Sequence, residues 1–237
     1  MCPVRCEGCY THFGNTSSLG GLITAQETAS FAAAAHGEGV SQATLSGGDP
    51  LFHPEIVTIA RTLSDLGMKV KLDTVGTAFL FPARIVFKGH GRAPRIDVAD
   101  IGPYIDFVSI PLDGARQETV ETFRRGRSNL MAETRAVAKL LRDAGVTFGF
   151  NTVANASNLG ELPTMRDIAE EDGASEWQVF EYDPSGPNPT RQKPRLRLAP
   201  GQFAQATGGL SSTSGRLRVV FRTALLPPGT SCLPGVR

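Results

Sequence analysis

The sequence predicts an α/β fold, a parallel sheet with helices packed outside it, on three observations. Strand-like and helix-like segments alternate from residue 24 to residue 182 with short turns between them, the order a parallel sheet with crossover helices requires. Five segments read as strands, near residues 41–46, 69–74, 106–110, 146–152 and 176–182. The loops of unusual composition all follow strand ends: Gly47-Gly48-Asp49, Asp73-Thr74-Val75-Gly76, Pro111-Leu112-Asp113-Gly114 and Asp183-Pro184-Ser185-Gly186. Ligands in parallel α/β folds gather at the carboxyl ends of strands, so the chemistry is expected there.

Each element has its own signal. Residues 24–36 read as an alanine-rich helix, with Thr24 as N-cap, Glu27 completing a capping box, and Gly37 and Gly39 stopping it. The strand at 41–46 runs straight into Gly47-Gly48-Asp49-Pro50. Pro54 opens a second helix, along which Ile56, Ile59, Ala60, Leu63 and Leu66 recur at helical spacing until Gly67 ends it. Residues 68–74 then alternate like a strand. Residues 78–95 contain Pro82, Gly89, Gly91 and Pro94 and read as an insertion or lid. A helix over about 130–144 carries Val137, Leu140, Leu141 and Ala144, with Gly145 as its cap, and another spans 159–172. Trp177 is expected in the core. Residues 183–237 are rich in Pro, Gly, Ser and Thr, with one strand at 217–221. The chain therefore divides into a core, 1–187, and a partly irregular tail, 188–237.

Charge and apolar patterning exclude some functions. The 24 Lys and Arg are balanced by 23 Asp and Glu, for a net charge of +1, which argues against nucleic acid as a partner. No apolar run approaches the roughly 20 residues that span a bilayer, so no membrane association is expected. The first residues, Met-Cys-Pro-Val-Arg-Cys, hold no apolar signal region, and a cytoplasmic location follows. Disulfides are rarely kept there, so clustered cysteines read as metal ligands or reactive thiols. Three of the four cysteines fall in the first nine residues, and the fourth is Cys232.

Two motifs carry the chemistry. Cys2, Cys6 and Cys9 are spaced to converge three thiolates on one centre. Three thiolates on a four-iron cluster leave one iron open to a ligand. A structural zinc site is the rival, because His12 would complete a Cys3His set. The second motif is Ser46-Gly47-Gly48-Asp49-Pro50-Leu51 at a strand end some forty residues later. Its glycines let backbone approach a ligand, and its carbonyls and carboxylate accept from an ammonium group. Alone it is an ordinary turn.

Together the cysteine loop, followed by the aromatic Tyr10, and the Gly-Gly-Asp-Pro turn resemble the radical S-adenosylmethionine (SAM) superfamily. Weaker matches continue to about residue 187. The resemblance implies a partial, open parallel β/α barrel of the radical SAM type. The family's first strand, before the cluster loop, is either absent here or encoded upstream of Met1. It implies two cofactors: a [4Fe-4S] cluster held by Cys2, Cys6 and Cys9, and SAM. Gly47, Gly48, Asp49 and Pro50 match the segment that receives the SAM amino group, with Asp49 in place of the commoner Glu. Thr74 matches a contact to the methionine part. Ser109, with Asp113 as the alternative, matches a ribose contact. Asn151 matches a strand-end ligand residue, and 178–187 the region that holds adenine.

The implied activity is reductive cleavage of SAM, with hydrogen-atom abstraction from a small biosynthetic substrate such as a sugar or nucleoside. The cluster would be fed by an external flavodoxin- or ferredoxin-like electron donor. The alternatives are a radical modifier of peptides or proteins, and a non-catalytic zinc module. Arg124, Arg125 and Arg127 read as anion contacts or a solvated helix end, and Cys232 as a tail residue outside the centre. His36, His53 and His90 have no metal-ligand spacing, and a helix-start role is expected of His53.

Overall fold

The computed structural model describes residues 1–9, 22–86, 91–184, 193–211 and 215–223. Along the chain the elements are β1 (Arg5–Cys6), α1 (Ala25–Gly37), β2 (Gln42–Leu45), α2 (Ile56–Asp65), β3 (Lys69–Asp73), α3 (Thr77–Leu80), β4 (Ala83–Arg84), β5 (Arg92–Ala93) and α4 (Val98–Ile101). They continue with β6 (Phe107–Pro111), α5 (Gln117–Phe123), β7 (Arg124–Arg125), α6 (Leu130–Asp143), β8 (Phe148–Ala154), α7 (Leu162–Glu171), β9 (Glu176–Glu181), α8 (Gln202–Thr207) and β10 (Arg218–Arg222).

Six strands make one all-parallel sheet in the order β2-β3-β6-β8-β9-β10. Each strand pairs with its predecessor in the sheet, the winding of a β/α barrel left open, with β2 and β10 at the edges. All five expected strands are present. The strand expected at 217–221 lies at Arg218–Arg222 and joins the same sheet beside β9. Among the described residues nothing pairs with the outer edge of β2.

Burial follows the periods read from the sequence. Val70 and Leu72 of β3, Val108 and Ile110 of β6, and Phe148 and Phe150 of β8 are buried in the sheet. Helix α2 presents Ile56, Ile59, Ala60 and Leu63 to the core, α6 presents Val137, Ala138 and Leu141, and α7 presents Leu162, Met165 and Ala169. Trp177 is fully buried, and its indole N–H donates to Thr152 Oγ1 at 2.8 Å. The capping box of Thr24 and Glu27 forms, and Gly145 ends α6 at φ +69°.

Two elements differ from expectation. Helix α2 begins at Ile56 with Glu55 as its N-cap, after a short 3-10 turn over Pro50–Phe52 that Asp49 caps. His53 then bridges the elements, with Nε2 2.8 Å from the Ile23 carbonyl. Residues 78–86 are no lid. Ala78, Phe79, Ala83 and Ile85 are buried in the main core, and the Val86 N–H donates to the Cys2 carbonyl at 3.0 Å. β4 and β5 pair antiparallel, and the Val86 bond ties this segment to the N-terminal loop.

Candidate functional site

The strand ends set out the site. In register, Asp73 at the end of β3 faces Ser109 of β6, and Pro111 faces Asn151 of β8. The N-terminal loop closes over this end of the sheet and encloses a cavity of about 570 Å³. Its lining includes Cys2, Cys6, Cys9, Gly47, Gly48, Thr74, Ser109 and Asn151. These eight residues, separated by up to about 150 positions in sequence, line one cavity. The volume falls within the roughly 300–1,000 Å³ of small-molecule sites.

Asp49 and Pro50 stand elsewhere. Both are buried and neither lines the cavity. The Asp49 carboxylate accepts from Leu51 N–H at 3.1 Å, from the Thr74 hydroxyl at 2.6 Å and from Val75 N–H at 3.1 Å. It ties the β3 end loop to the Gly-Gly turn from behind the cavity wall. Burial pushes its pKa up to about 6, against the lowering by these three donors. Thr74 spends its hydroxyl proton on Asp49, and its Oγ1 accepts from Gly76 N–H at 2.9 Å. Asp113, the alternative to Ser109, does not line the cavity either, since its carboxylate accepts from Val153 N–H at 2.7 Å and from Arg124.

The two motifs are stitched together directly. Asp49 N–H donates to the Met1 carbonyl at 2.7 Å. A Cβ on Gly48 would sit 2.2 Å from that same oxygen, so only glycine allows the approach. In the cysteine loop, a Cβ on Gly8 would lie 2.8 Å from the Tyr182 ring. Glu7 draws in three cations: Arg125 at 3.0 Å, Arg195 at 3.2 Å and Lys193 at 3.6 Å. Gly8, Glu7 and the 193–196 segment fasten the loop, and sequence reading missed them because their partners are remote in sequence.

The arginine run separates into three fates. Arg124 is mostly buried against Asp113 and Cys6, Arg125 is on the surface with Glu7, and Arg127 donates to Glu133 at 2.6 Å. Of the three, Arg125 keeps the exposed position just past a helix end. His36 Nδ1 lies 3.2 Å from the Val40 carbonyl. Tyr10, His12, His90 and Cys232 lie outside the described residues.

The donor set fits a cluster and SAM. Cys2 and Cys6 are pushed up by burial, Cys6 to about 11, and each also feels a neighbouring loop thiol, Cys6 for Cys2 and Cys9 for Cys6. Such thiols are stable neutral until a metal centre takes their protons. Among the described residues no three His, Cys, Asp or Glu side chains converge tightly enough for a single ion. The cavity also holds two orphaned polar atoms: Ser109 Oγ, in a residue 2% exposed, and Asp73 Oδ1 have no hydrogen-bond partner. Lys71 Nζ, 3.4 Å from Asp73 Oδ1, gives an ion pair without a hydrogen bond. Unmade hydrogen bonds of this kind cost stability, and a polar ligand in the cavity satisfies them.

With this geometry in hand, comparison with known proteins places the chain. The profile of the Radical SAM superfamily matches residues 1–167, and the chain belongs to that family of enzymes, which use a [4Fe-4S] cluster and SAM. An AdoMet-dependent heme synthase of Methanosarcina barkeri is 32% identical over 78% of this chain and 49% of its own length. A PqqA peptide cyclase of Methylobacterium nodulans is 30% identical over 75% of this chain and 43% of its own length. The chain thus spans about half the length of these relatives. The fold is shared with Streptococcus suis SuiB bound to precursor peptide SuiA, at a TM-score of 0.70 and 16% identity over 94% of this chain and 46% of that one. It is shared too with anSMEcpe bound to AdoMet and the Cp18Cys peptide, at a TM-score of 0.65, 16% identity, and 93% and 60% coverage. Among the described residues no helix is long and apolar enough to cross a membrane.

Proposed function

We propose that this chain carries out a radical SAM reaction on a peptide, in place of the sugar or nucleoside expected from the sequence. The observation that carries the reading is the set of PqqA peptide cyclases at 27–30% identity over 71–96% of the chain. When bound, the cluster and SAM supply a 5′-deoxyadenosyl radical that takes a hydrogen atom from the substrate. Cys2, Cys6 and Cys9 hold the cluster. Gly47 and Gly48 offer backbone to the methionine part of SAM, and Asp73 Oδ1 accepts from its ammonium. Ser109 and Asn151 face the ribose. Asp49 and Thr74 act by holding this wall in place. Phe180 and Tyr182, which also line the cavity, provide apolar surface for adenine.

An external one-electron donor completes the reaction. Arg5, Arg125, Lys193 and Arg195, grouped around Glu7 beside Cys6, suit an acidic one. The similarity to an AdoMet-dependent heme synthase supports a second reading, a tetrapyrrole substrate.

The test is anaerobic reconstitution with iron and sulfide, then incubation with SAM and dithionite. A random-sequence peptide library and a tetrapyrrole are offered separately. The expected result is slow 5′-deoxyadenosine release alone, accelerated by a subset of peptides whose mass changes. Acceleration by the tetrapyrrole and by no peptide would overturn the peptide reading.

A further inference from the structure

We propose that Arg124 is a positioning residue that sets the reduction potential of the cluster through Cys6. The inference rests on the reading of the three cysteines as cluster ligands. Arg124 Nη1 donates to Cys6 Sγ at 3.2 Å. On its other side, Nε donates to Asp113, whose carboxylate is wholly buried and is itself held by Val153 N–H. The backbone fixes the same pair: Cys6 and Arg124 are register partners between β1 and β7, and Glu7 N–H donates to the Phe123 carbonyl at 2.8 Å. The guanidinium side chain is 15% exposed, so water screens it weakly.

One electron from a low-potential donor takes such a cluster from its 2+ to its 1+ state. No bond forms or breaks, and the change is one added negative charge spread over iron, sulfide and thiolate. Potential follows net charge, hydrogen bonds to the sulfurs and burial. A fixed cation whose N–H is aimed at a ligand sulfur therefore stabilises the reduced state more than the oxidised one. Asp113 opposes this from the far side of the guanidinium, at greater distance from the sulfur. The two residues should move the potential in opposite senses. Side chains that only packed the loop would not do so.

The experiment follows the electron paramagnetic resonance signal of the reduced cluster against applied potential, with dithionite as reductant. It uses the full chain reconstituted to about four irons, and the variants Arg124→Gln, Arg124→Lys and Asp113→Asn. For Arg124→Gln the reduced-to-oxidised ratio at fixed potential is expected to fall about tenfold, equivalent to about 59 mV downward for one electron. Arg124→Lys keeps the charge but loses the fork and shifts less, in the same sense. Asp113→Asn shifts upward. An unmoved potential in Arg124→Gln, or the same sense of shift in Arg124→Gln and Asp113→Asn, overturns the proposal. If Arg124→Gln holds no iron, Arg124→Lys decides, and an unmoved potential there overturns it. A wild-type chain that takes up no iron overturns the cluster reading and this proposal together. An unmoved potential overturns this proposal alone.

Discussion

Asp49 should write its buried charge into the pH dependence of folding. Its carboxyl is 4% exposed, and its pKa is pushed from 3.8 to about 6 by burial, despite three donors. The folded chain then holds the proton more tightly than the unfolded chain. Stability contributed by this group must rise as pH falls from above 6 towards 3.8, and the ionised form costs the fold above pH 6. A gap of about two units corresponds to about 3 kcal/mol in full, of which about 2 kcal/mol is recovered by pH 4.5. Asp49→Asn removes the titration. It also leaves Val75 N–H facing an amide N–H, an unmade bond worth about 1–3 kcal/mol, so the two effects nearly cancel at pH 7.5. The expectation is therefore near-equal stability at pH 7.5, and a wild type ahead by about 2 kcal/mol more at pH 4.5 than at pH 7.5. Urea unfolding of the cluster-free protein and variant at both pH values measures this. A difference between them that stays constant across the two pH values would refute the reasoning.

Three further outcomes follow from the same geometry. Gly48→Ala forces a methyl 2.2 Å from the Met1 carbonyl, so it should separate the two motifs and weaken SAM binding at least tenfold, read by calorimetric titration. Gly8→Ala pushes against the Tyr182 ring, and cluster loss to a chelator, followed by visible absorbance, should be faster than in the wild type. Glu7→Gln leaves Arg125, Lys193 and Arg195 facing one another and should accelerate the same loss, while thermal unfolding changes by less than about 1 kcal/mol because these pairs are partly exposed.

The sheet was readable because each strand and helix carries its own period. Val70 and Leu72, or Ile56, Ile59, Ala60 and Leu63, declare a face without reference to the rest of the chain. What failed was local punctuation overridden by packing. Pro54 reads as a helix start, but α2 begins two residues later with Glu55 as its N-cap, after a separate 3-10 turn that Asp49 caps at Pro50. The prolines and glycines of 78–95 read as an insertion or lid, and the lid fails because Phe79, Ala83 and Ile85 are drawn into the core and Val86 bonds to Cys2. The strand at β10 was legible as a strand, but its pairing with β9 was not, because register is a property of two segments.

The site divides along the same line, and its charges show why. Residue type and strand-end position brought Cys2, Cys6, Cys9, Gly47, Gly48, Thr74, Ser109 and Asn151 to one cavity. The same information could not rank the carboxylates. Asp49, Asp73 and Asp113 each follow a strand, yet Asp49 is saturated by three donors, Asp113 is saturated by Val153 and Arg124, and Asp73 alone keeps an orphaned oxygen. Nor could it rank the arginines, since only the β1–β7 pairing sets Arg124, and not Arg125, against Cys6. A buried ionic group keeps its role only where every partner is in place, so its function belongs to the network and not to the residue. The spacing of cysteines fixes which atoms can hold a cluster. In our proposal, the network around Arg124 and Asp113 determines how readily that cluster accepts an electron.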